Sequence, residues 1–330
     1  MNGNGALLRV ESLVKCYPVR RGLFARAREK LRAVDEVSFY INERETYALV
    51  GESGSGKSTL GRVLLRLEEP TSGRVFLRDE EVTAADAGRL RALRREMQIV
   101  FQDPFGSLNP RIPVGAALAE ALRVHRIAPP REIDGEVDRL LDTVGIAAAH
   151  ADRFPHEFSG GQRQRICIAR ALALRPSFLV ADEPVSALDV SIQAQIVNLL
   201  LRLREDLGLS YLLVSHNLAL VRHAADRVGV LYLGRLVEEG AVEAIFREPL
   251  HPYTRALLAA VPRAAPGRPA RRILLGGEIP SAIHPPAGCP FHPRCPEAMP
   301  VCRTTPPAWT VPERGRGASC HLLRAGDGNG

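Results

Sequence analysis

The stretch Gly51-Glu52-Ser53-Gly54-Ser55-Gly56-Lys57-Ser58-Thr59 has residue types and spacing suited to holding phosphate. It fits G-x-x-x-x-G-K-[ST], in which glycines let the backbone wrap closely and aim successive N–H groups at an anion. Lys57 would reach the β- and γ-phosphates of a nucleotide, and the Ser58 hydroxyl would ligate Mg²⁺. Ahead of the loop, Tyr47-Ala48-Leu49-Val50 is a short apolar run expected to form a buried strand. Behind it, residues 60–67 place apolar side chains at helical spacing. A strand, a loop and a helix are the context the motif requires, and the helix N-terminus adds partial positive charge. A glycine-rich turn can also be a plain loop; these flanks argue against that.

Four other polar groups fall at the C-terminal ends of expected strands. Phe178-Leu179-Val180-Ala181 is apolar without alternation, as in a central parallel strand covered on both faces, and it ends in Asp182-Glu183. Asp182 suits a water-mediated Mg²⁺ ligand, and Glu183 a general base toward an attacking water. A helix-capping acid pair is the alternative, but a cap needs no hydrophobic strand before it. Gln102 follows Met97–Phe101 and is placed to ligate Mg²⁺ or orient water. His216 follows Tyr211–Val214 and would stabilise charge on a γ-phosphate. A lone Gln or His at a strand end is more often structural. Here their value is positional, because in an open α/β sheet that edge binds ligands.

Ser159-Gly160-Gly161-Gln162 puts a hydroxyl and exposed N–H groups at the start of a helix. A second phosphate-binding helix end in one chain suggests that it serves a nucleotide held by another subunit. An ordinary serine-capped helix is the other reading of this motif alone.

The elements that must carry these groups alternate strand and helix, which implies a parallel α/β sheet. Leu7–Cys16 reads as an edge strand, residues 34–41 and 46–50 as strands, and residues 73–77 as another. The basic segment 19–32 has no clear period and is expected to be an insertion between strands. Residues 89–96 are helix-prone, 114–144 are helical with a break at Pro129-Pro130, and helices are expected over 163–174 and 191–207. The 330 residues, 45% hydrophobic and 25% charged, suit a globular protein of two domains, or of one large domain with an appendage. No apolar run approaches the about 18 residues of a membrane span, and the N-terminus lacks a secretory pattern. The expectation is a cytoplasmic protein that meets the membrane through a partner. A net charge of +7 permits anionic partners but specifies none. The basic runs at 20–32 and 263–272 lack the interleaved aromatics of a nucleic-acid stacking platform and read as solvated surface.

Taken together, the sequence resembles the ATP-binding subunits of ABC transporters. The likeness covers essentially the whole chain: the Walker A loop, the Q-loop Gln102, the signature Ser159–Gln162 and Walker B with Glu183. It adds the D-loop Ser186-Ala187-Leu188-Asp189 and the H-loop His216. It implies a P-loop nucleotide-binding fold with a RecA-like parallel core, an antiparallel β subdomain and a helical subdomain near 103–172. It also implies two subunits closing head to tail on two ATP molecules, so that the signature and Asp189 contact the partner's nucleotide. Tyr17 matches the family's adenine-stacking aromatic; a core tyrosine is the alternative. Phe158 replaces a common Leu, and Asn217 a common Asp, without removing a catalytic group.

After about Glu243 proline becomes frequent and periodicity gives way to loops. His251–Leu258, Tyr232–Arg235 and Glu248–Leu250 resemble oligopeptide/dipeptide (peptide/nickel) importer ATPases, as does the insertion after Tyr17-Pro18. The expected division is an ATP-binding domain over 1–245 and a small loop-rich extension over 246–330. Peptide uptake is the function the resemblance implies, with nickel or sugar uptake as the neighbouring reading. A second ATPase subunit, more often a paralogue than a copy, two permease subunits and an extracytoplasmic solute-binding protein are the implied partners. A P-loop kinase would lack the signature. A soluble relative acting on DNA or ribosomes would carry two cassettes or a long coiled coil.

Four of the six cysteines, Cys289, Cys295, Cys302 and Cys320, lie in this tail as C-x5-C-x6-C-x17-C. Cytoplasmic proteins rarely keep disulfides, so clustered thiols argue for a metal. The paired C-x2-4-C of zinc sites is absent. Four thiolates can hold a [4Fe–4S] cluster, and some relatives in the subfamily carry one at matching positions. A cluster, zinc and free thiols all stand as readings. Cys16 and Cys167 read as core residues.

Overall fold

The structure is a computed structural model that describes residues 5–19, 29–186, 188–260, 278–313 and 315–323; of Phe105 and Glu313 it describes the backbone. The basic runs at 20–28 and 263–272 and the D-loop Ala187 lie outside the described residues. The chain divides into two compact units. One comprises Met1–Ile41, Thr46–Thr83 and Ser215–Gly330; the other comprises Asn42–Glu45 and Ala84–Val214. The expected extension over 246–330 thus falls in the same unit as the phosphate loop.

In the first unit, Leu8–Val19 pairs antiparallel with Glu29–Ile41 and with Ser72–Leu77, and Glu80–Glu81 closes this sheet. Leu8 and Val10 alternate inward, a register shift before Leu13 turns that residue inward as well, and Val37, Phe39 and Ile41 alternate inward on the partner strand. The hairpin runs out to Val19 opposite Glu29, so residues 29–32 are strand rather than insertion. Their period was hidden because the residues there are half-buried or exposed in alternation, with no apolar side chain sealed in.

The same unit holds a second run of strands in the order Trp309–Glu313, Arg316–Ser319, Arg235–Ala241, Arg227–Tyr232, Thr46–Val50. Thr46–Val50 lies parallel to Arg227–Tyr232, and the other pairings are antiparallel. Every residue of Thr46–Val50 is buried. Ala48, Val50, Val228, Val230 and Tyr232 share one core with Tyr253, Cys289, Phe291 and Cys302 of the tail. The tail is therefore not simply loop. Helices Val242–Arg247 and Pro252–Ala259 and the hairpin at Trp309–Ser319 are built into the fold. Two backbone N–H groups, of Leu250 and His251, donate to the fully buried Glu238 carboxylate at 2.7 and 2.9 Å and anchor the second helix.

In the second unit, Met97–Val100, Phe178–Asp182 and Ser210–Val214 form a parallel run in that order. Every residue of the latter two is buried, which is why their sequences are continuous apolar runs. Helices occupy Ala87–Glu96, Val114–Val124, Ile133–Thr143, Gly160–Leu172 and Val190–Leu207. Asp86 caps the first by accepting from Arg89 N at 2.8 Å, and Gly208 ends the last with φ 69°. Parallel strands, an antiparallel sheet and a helical segment make the α/β P-loop architecture expected of the sequence. Among the described residues no helix is long and apolar enough to cross a membrane.

Candidate functional site

The buried strand Thr46–Val50 delivers the loop, and two of the loop's glycines, Gly51 and Gly56, are demanded by close backbone approach. A Cβ on Gly56, at φ 102°, would lie 1.9 Å from the Ala33 carbonyl oxygen. One on Gly51 would lie 2.2 Å from that of Leu231. The helix Lys57–Leu64 then begins with Gly56 as its N-cap, which has no side chain to occupy the first N–H groups. Lys57 is buried, and its Nζ donates to Gly51 O at 2.8 Å, Glu52 O at 2.9 Å and Ser55 Oγ at 3.3 Å. Its ammonium is thus held inside the curve of the loop, where an entering phosphate would meet it. Ser58 and Thr59 follow in the first helical turn, while Ser53 and Gly54 form the exposed tip.

Tyr17 is half-buried rather than sealed in a core. Its hydroxyl is hydrogen-bonded to Glu68, and Lys15 Nζ lies 4.9 Å from the ring centroid. Partial burial and then the Glu68 hydrogen bond push the phenol above its ordinary range. His216 is exposed and precedes Asn217, whose Oδ1 accepts from Ala219 N and Leu220 N at 3.1 and 3.3 Å. Asn217 is thus the N-cap of Leu218–Ala224, a task it shares with aspartate, which accounts for the replacement.

In the other unit Asp182 ends its strand almost wholly buried. Glu183 comes next with φ 47°, a left-handed backbone that strains a non-glycine residue and recurs at functional sites. The strain is held by Glu183 N donating to Val214 O at 3.0 Å, and by the N–H and hydroxyl of Ser186, each donating to Glu183 O at 3.2 Å. Gln102 Nε2 donates to Glu183 Oε2 at 3.1 Å, so the Q-loop side chain and the proposed base meet.

The helix carrying the signature starts at Gly160, not at Arg163, because Ser159 caps it. Ser159 Oγ accepts from Gln162 N at 3.3 Å, and Gln162 Oε1 accepts from Ser159 N at 2.9 Å. The serine-capped helix and the signature are therefore one and the same. A Cβ on Gly161 would lie 2.5 Å from Ile192 Cγ2, so the second glycine lets this helix press against the start of Val190–Leu207. Asp189 caps that helix through its backbone position alone and leaves an exposed carboxylate. Ile192 went unnoticed in the sequence, since an isoleucine in an apolar helix carries no signal of what it faces.

A family model described as "ABC transporter" matches residues 34–186, and one described as "Oligopeptide/dipeptide transporter, C-terminal region" matches 237–302. The oligopeptide transport ATP-binding protein AppF of Bacillus subtilis is 47% identical, over 96% of this chain and 97% of its own length. The dipeptide transport ATP-binding protein DppF of Haemophilus influenzae is 49% identical, over 92% of this chain and 93% of its own. The chain belongs to the ABC transporter ATP-binding family. Among solved structures, a dimeric ATP-binding cassette in a post-hydrolysis state with ADP and phosphate superposes with a TM-score of 0.62. It is 29% identical and covers 71% of this chain and 98% of that one.

The reading of the four tail cysteines as a [4Fe–4S] site finds no support among the described residues. The four tail thiols do share a neighbourhood: burial first, and then the other thiols, push Cys289 up to about 11. Cys295 and Cys320 are raised for the same first reason. Yet among the described residues no three His, Cys, Asp or Glu side chains form a group that could hold a metal ion. A [4Fe–4S] cluster needs four converging thiolates. Cys289 and Cys302 are buried in one core with Phe291 and Tyr253, and Cys302 Sγ accepts from Met299 N at 3.5 Å. Cys167 is a core thiol as expected, pushed up to about 12 by burial, whereas Cys16 is half-buried on its strand.

Proposed function

We propose that this ABC ATPase hydrolyses ATP to drive import of oligopeptides or dipeptides, working peripherally at the cytoplasmic face of the membrane. The observation that carries the importer reading is the match of residues 237–302 to the C-terminal region of oligopeptide/dipeptide transporters. It is supported by relatives about half identical across the chain. Residues 1–245 form the ATP-binding domain in this reading, and 246–330 the importer-type extension.

Lys57 and the N–H groups of Gly51, Ser53, Gly54, Ser55, Gly56, Ser58 and Thr59 hold the phosphates, and Tyr17 stacks on adenine. Ser58, Asp182 and Gln102 would hold Mg²⁺, which when bound neutralises charge on the transferring phosphoryl group. Glu183 takes the proton of the attacking water as its oxygen adds to the γ-phosphorus, the bond from that phosphorus to the β–γ bridging oxygen breaks, and ADP leaves with the electron pair. His216 hydrogen-bonds the phosphoryl oxygens that gain charge. Ser159, Gly160, Gly161, Gln162 and Asp189 serve the nucleotide of a second ATPase subunit, a paralogue.

Two permease subunits and a solute-binding protein complete the transporter, and nucleic acid has no part in it. A groove of about 680 Å³ in the helical unit, lined by Arg91, Arg94, Val124, His125 and Arg170, supports a permease contact there. Co-purification tests the reading: the chain should isolate with membrane subunits and show ATPase activity stimulated by a peptide-loaded binding protein. Isolation with nucleic acid and no membrane subunit would overturn it. Iron content is a separate measurement, for which a cluster requires about four irons per chain after anaerobic purification.

A further inference from the structure

The C-terminal extension grips the phosphate loop through one residue, Glu52. Arg294, whose side chain is 5% exposed, donates from Nη1 to Glu52 Oε2 at 2.7 Å and from Nη2 to Glu52 Oε1 at 2.9 Å. The backbone N–H of Glu52 donates to Tyr253 Oη at 2.9 Å, and its carbonyl accepts from Lys57 Nζ. Side chain, amide and carbonyl of this second loop residue are all fixed, two of them from the extension.

The groups that do the fixing are themselves rigid. Tyr253 is fully buried, with ring centroids 4.7 Å from Tyr232 and 5.4 Å from Phe291. Arg294 closes a short turn in which His292 N donates to Cys289 O, Arg294 N to Phe291 O and Cys295 N to His292 O. The first tail cysteines therefore flank the turn that presents the arginine.

Two physical consequences follow. A planar guanidinium fork fixes a carboxylate in position and angle, which removes disorder from a glycine-rich loop before nucleotide arrives. The carboxylate itself lies in a loop built to attract an anion, where its charge would repel phosphate; the bidentate pair neutralises it. We infer that Arg294, seconded by Tyr253, is a positioning residue for nucleotide binding, acting from the extension through Glu52. This rests on the reading that Gly51–Thr59 hold the nucleotide phosphates.

The test is a fluorescent ATP-analogue titration with Mg²⁺ on the full-length chain, with thermal unfolding of each unliganded variant alongside. Arg294→Ala should weaken binding about tenfold, by loosening the loop and exposing the Glu52 charge. Adding Glu52→Gln to Arg294→Ala should recover most of that loss, to within about threefold of Glu52→Gln alone, because no uncompensated carboxylate remains. For a purely structural arginine, the loss and recovery of binding would follow the melting temperatures of the unliganded variants; a positioning role changes binding where those temperatures are alike. Wild-type binding by Arg294→Ala, or a loss that Glu52→Gln leaves untouched, overturns the proposal. Should Arg294→Ala fail to fold, Arg294→Lys decides, since it keeps the charge and loses the fork. It should weaken binding about threefold, and unchanged binding overturns the claim. Lys57→Ala is the separate control: if it binds nucleotide normally, the phosphate-loop reading fails instead.

Discussion

Gln102 and Glu183, 81 residues apart in sequence, are joined by a hydrogen bond of 3.1 Å from Nε2 to Oε2. The amide holds the carboxylate of a residue whose backbone is already constrained at φ 47°, so the proposed base has little freedom to point elsewhere. Glu183→Gln should therefore lose hydrolysis by at least about 10²-fold while ATP still binds. Gln102→Ala should cost less, on the order of tenfold, because only orientation is lost. Phosphate release and nucleotide titration on the same samples separate the two effects.

Lys57→Ala should abolish hydrolysis and tight nucleotide binding together. The ammonium donates to two loop carbonyls as well as to Ser55 Oγ, so the unliganded variant should also melt at a lower temperature. Calorimetry of the apo protein checks the second effect without reference to nucleotide.

Ser159→Ala removes a cap that accepts from Gln162 N and should cost about 1 kcal/mol of stability. Ser159→Arg adds bulk at the signature and should block hydrolysis while the chain's own loop still binds ATP. If the signature serves a second subunit, specific activity should rise with protein concentration. Activity independent of concentration in a monomeric sample would sink the half-site picture.

His251 gives the fold an acid sensitivity. Burial first, and then Arg255, hold its imidazole down at about 3 from an ordinary 6.5, and its Nδ1 accepts from Tyr253 N at 3.0 Å. Because the folded value is depressed, stability from the neutral ring is complete above pH 6.5 and drains as pH falls toward 3. The full loss is on the order of 5 kcal/mol. Glu238, whose pKa burial raises, contributes in the opposite sense, losing stability as pH rises through its folded value. The difference between wild type and His251→Asn isolates the ring. Melting temperatures from pH 7 to 4 should fall more steeply in the wild type, and parallel curves would refute the assignment.

Much of the chemistry was legible because it is local. A glycine loop between a buried strand and a helix, or a carboxylate pair ending an apolar strand, needs only a few neighbours to be read, and the structure keeps those neighbours in place. The tail was less legible. The hairpin Trp309–Ser319 joins the sheet edge through strands too short to show a period, with Glu238 and Glu239 opposite Ala318 and Gly317. Cysteine spacing suggests convergence onto a metal, but spacing does not show that Cys289 and Cys302 also pack into one core with Phe291 and Tyr253, which only the tertiary structure reveals.

The phosphate loop shows the same division. Its sequence alone determined an anion cradle, since only glycine tolerates the close carbonyls at positions 51 and 56. What steadies it was left to tertiary structure: Arg294 reaches Glu52 across 242 residues of sequence, in a pairing no local pattern encodes. Backbone conformation is set by neighbours along the chain, whereas ion pairing depends on which surfaces the core brings together.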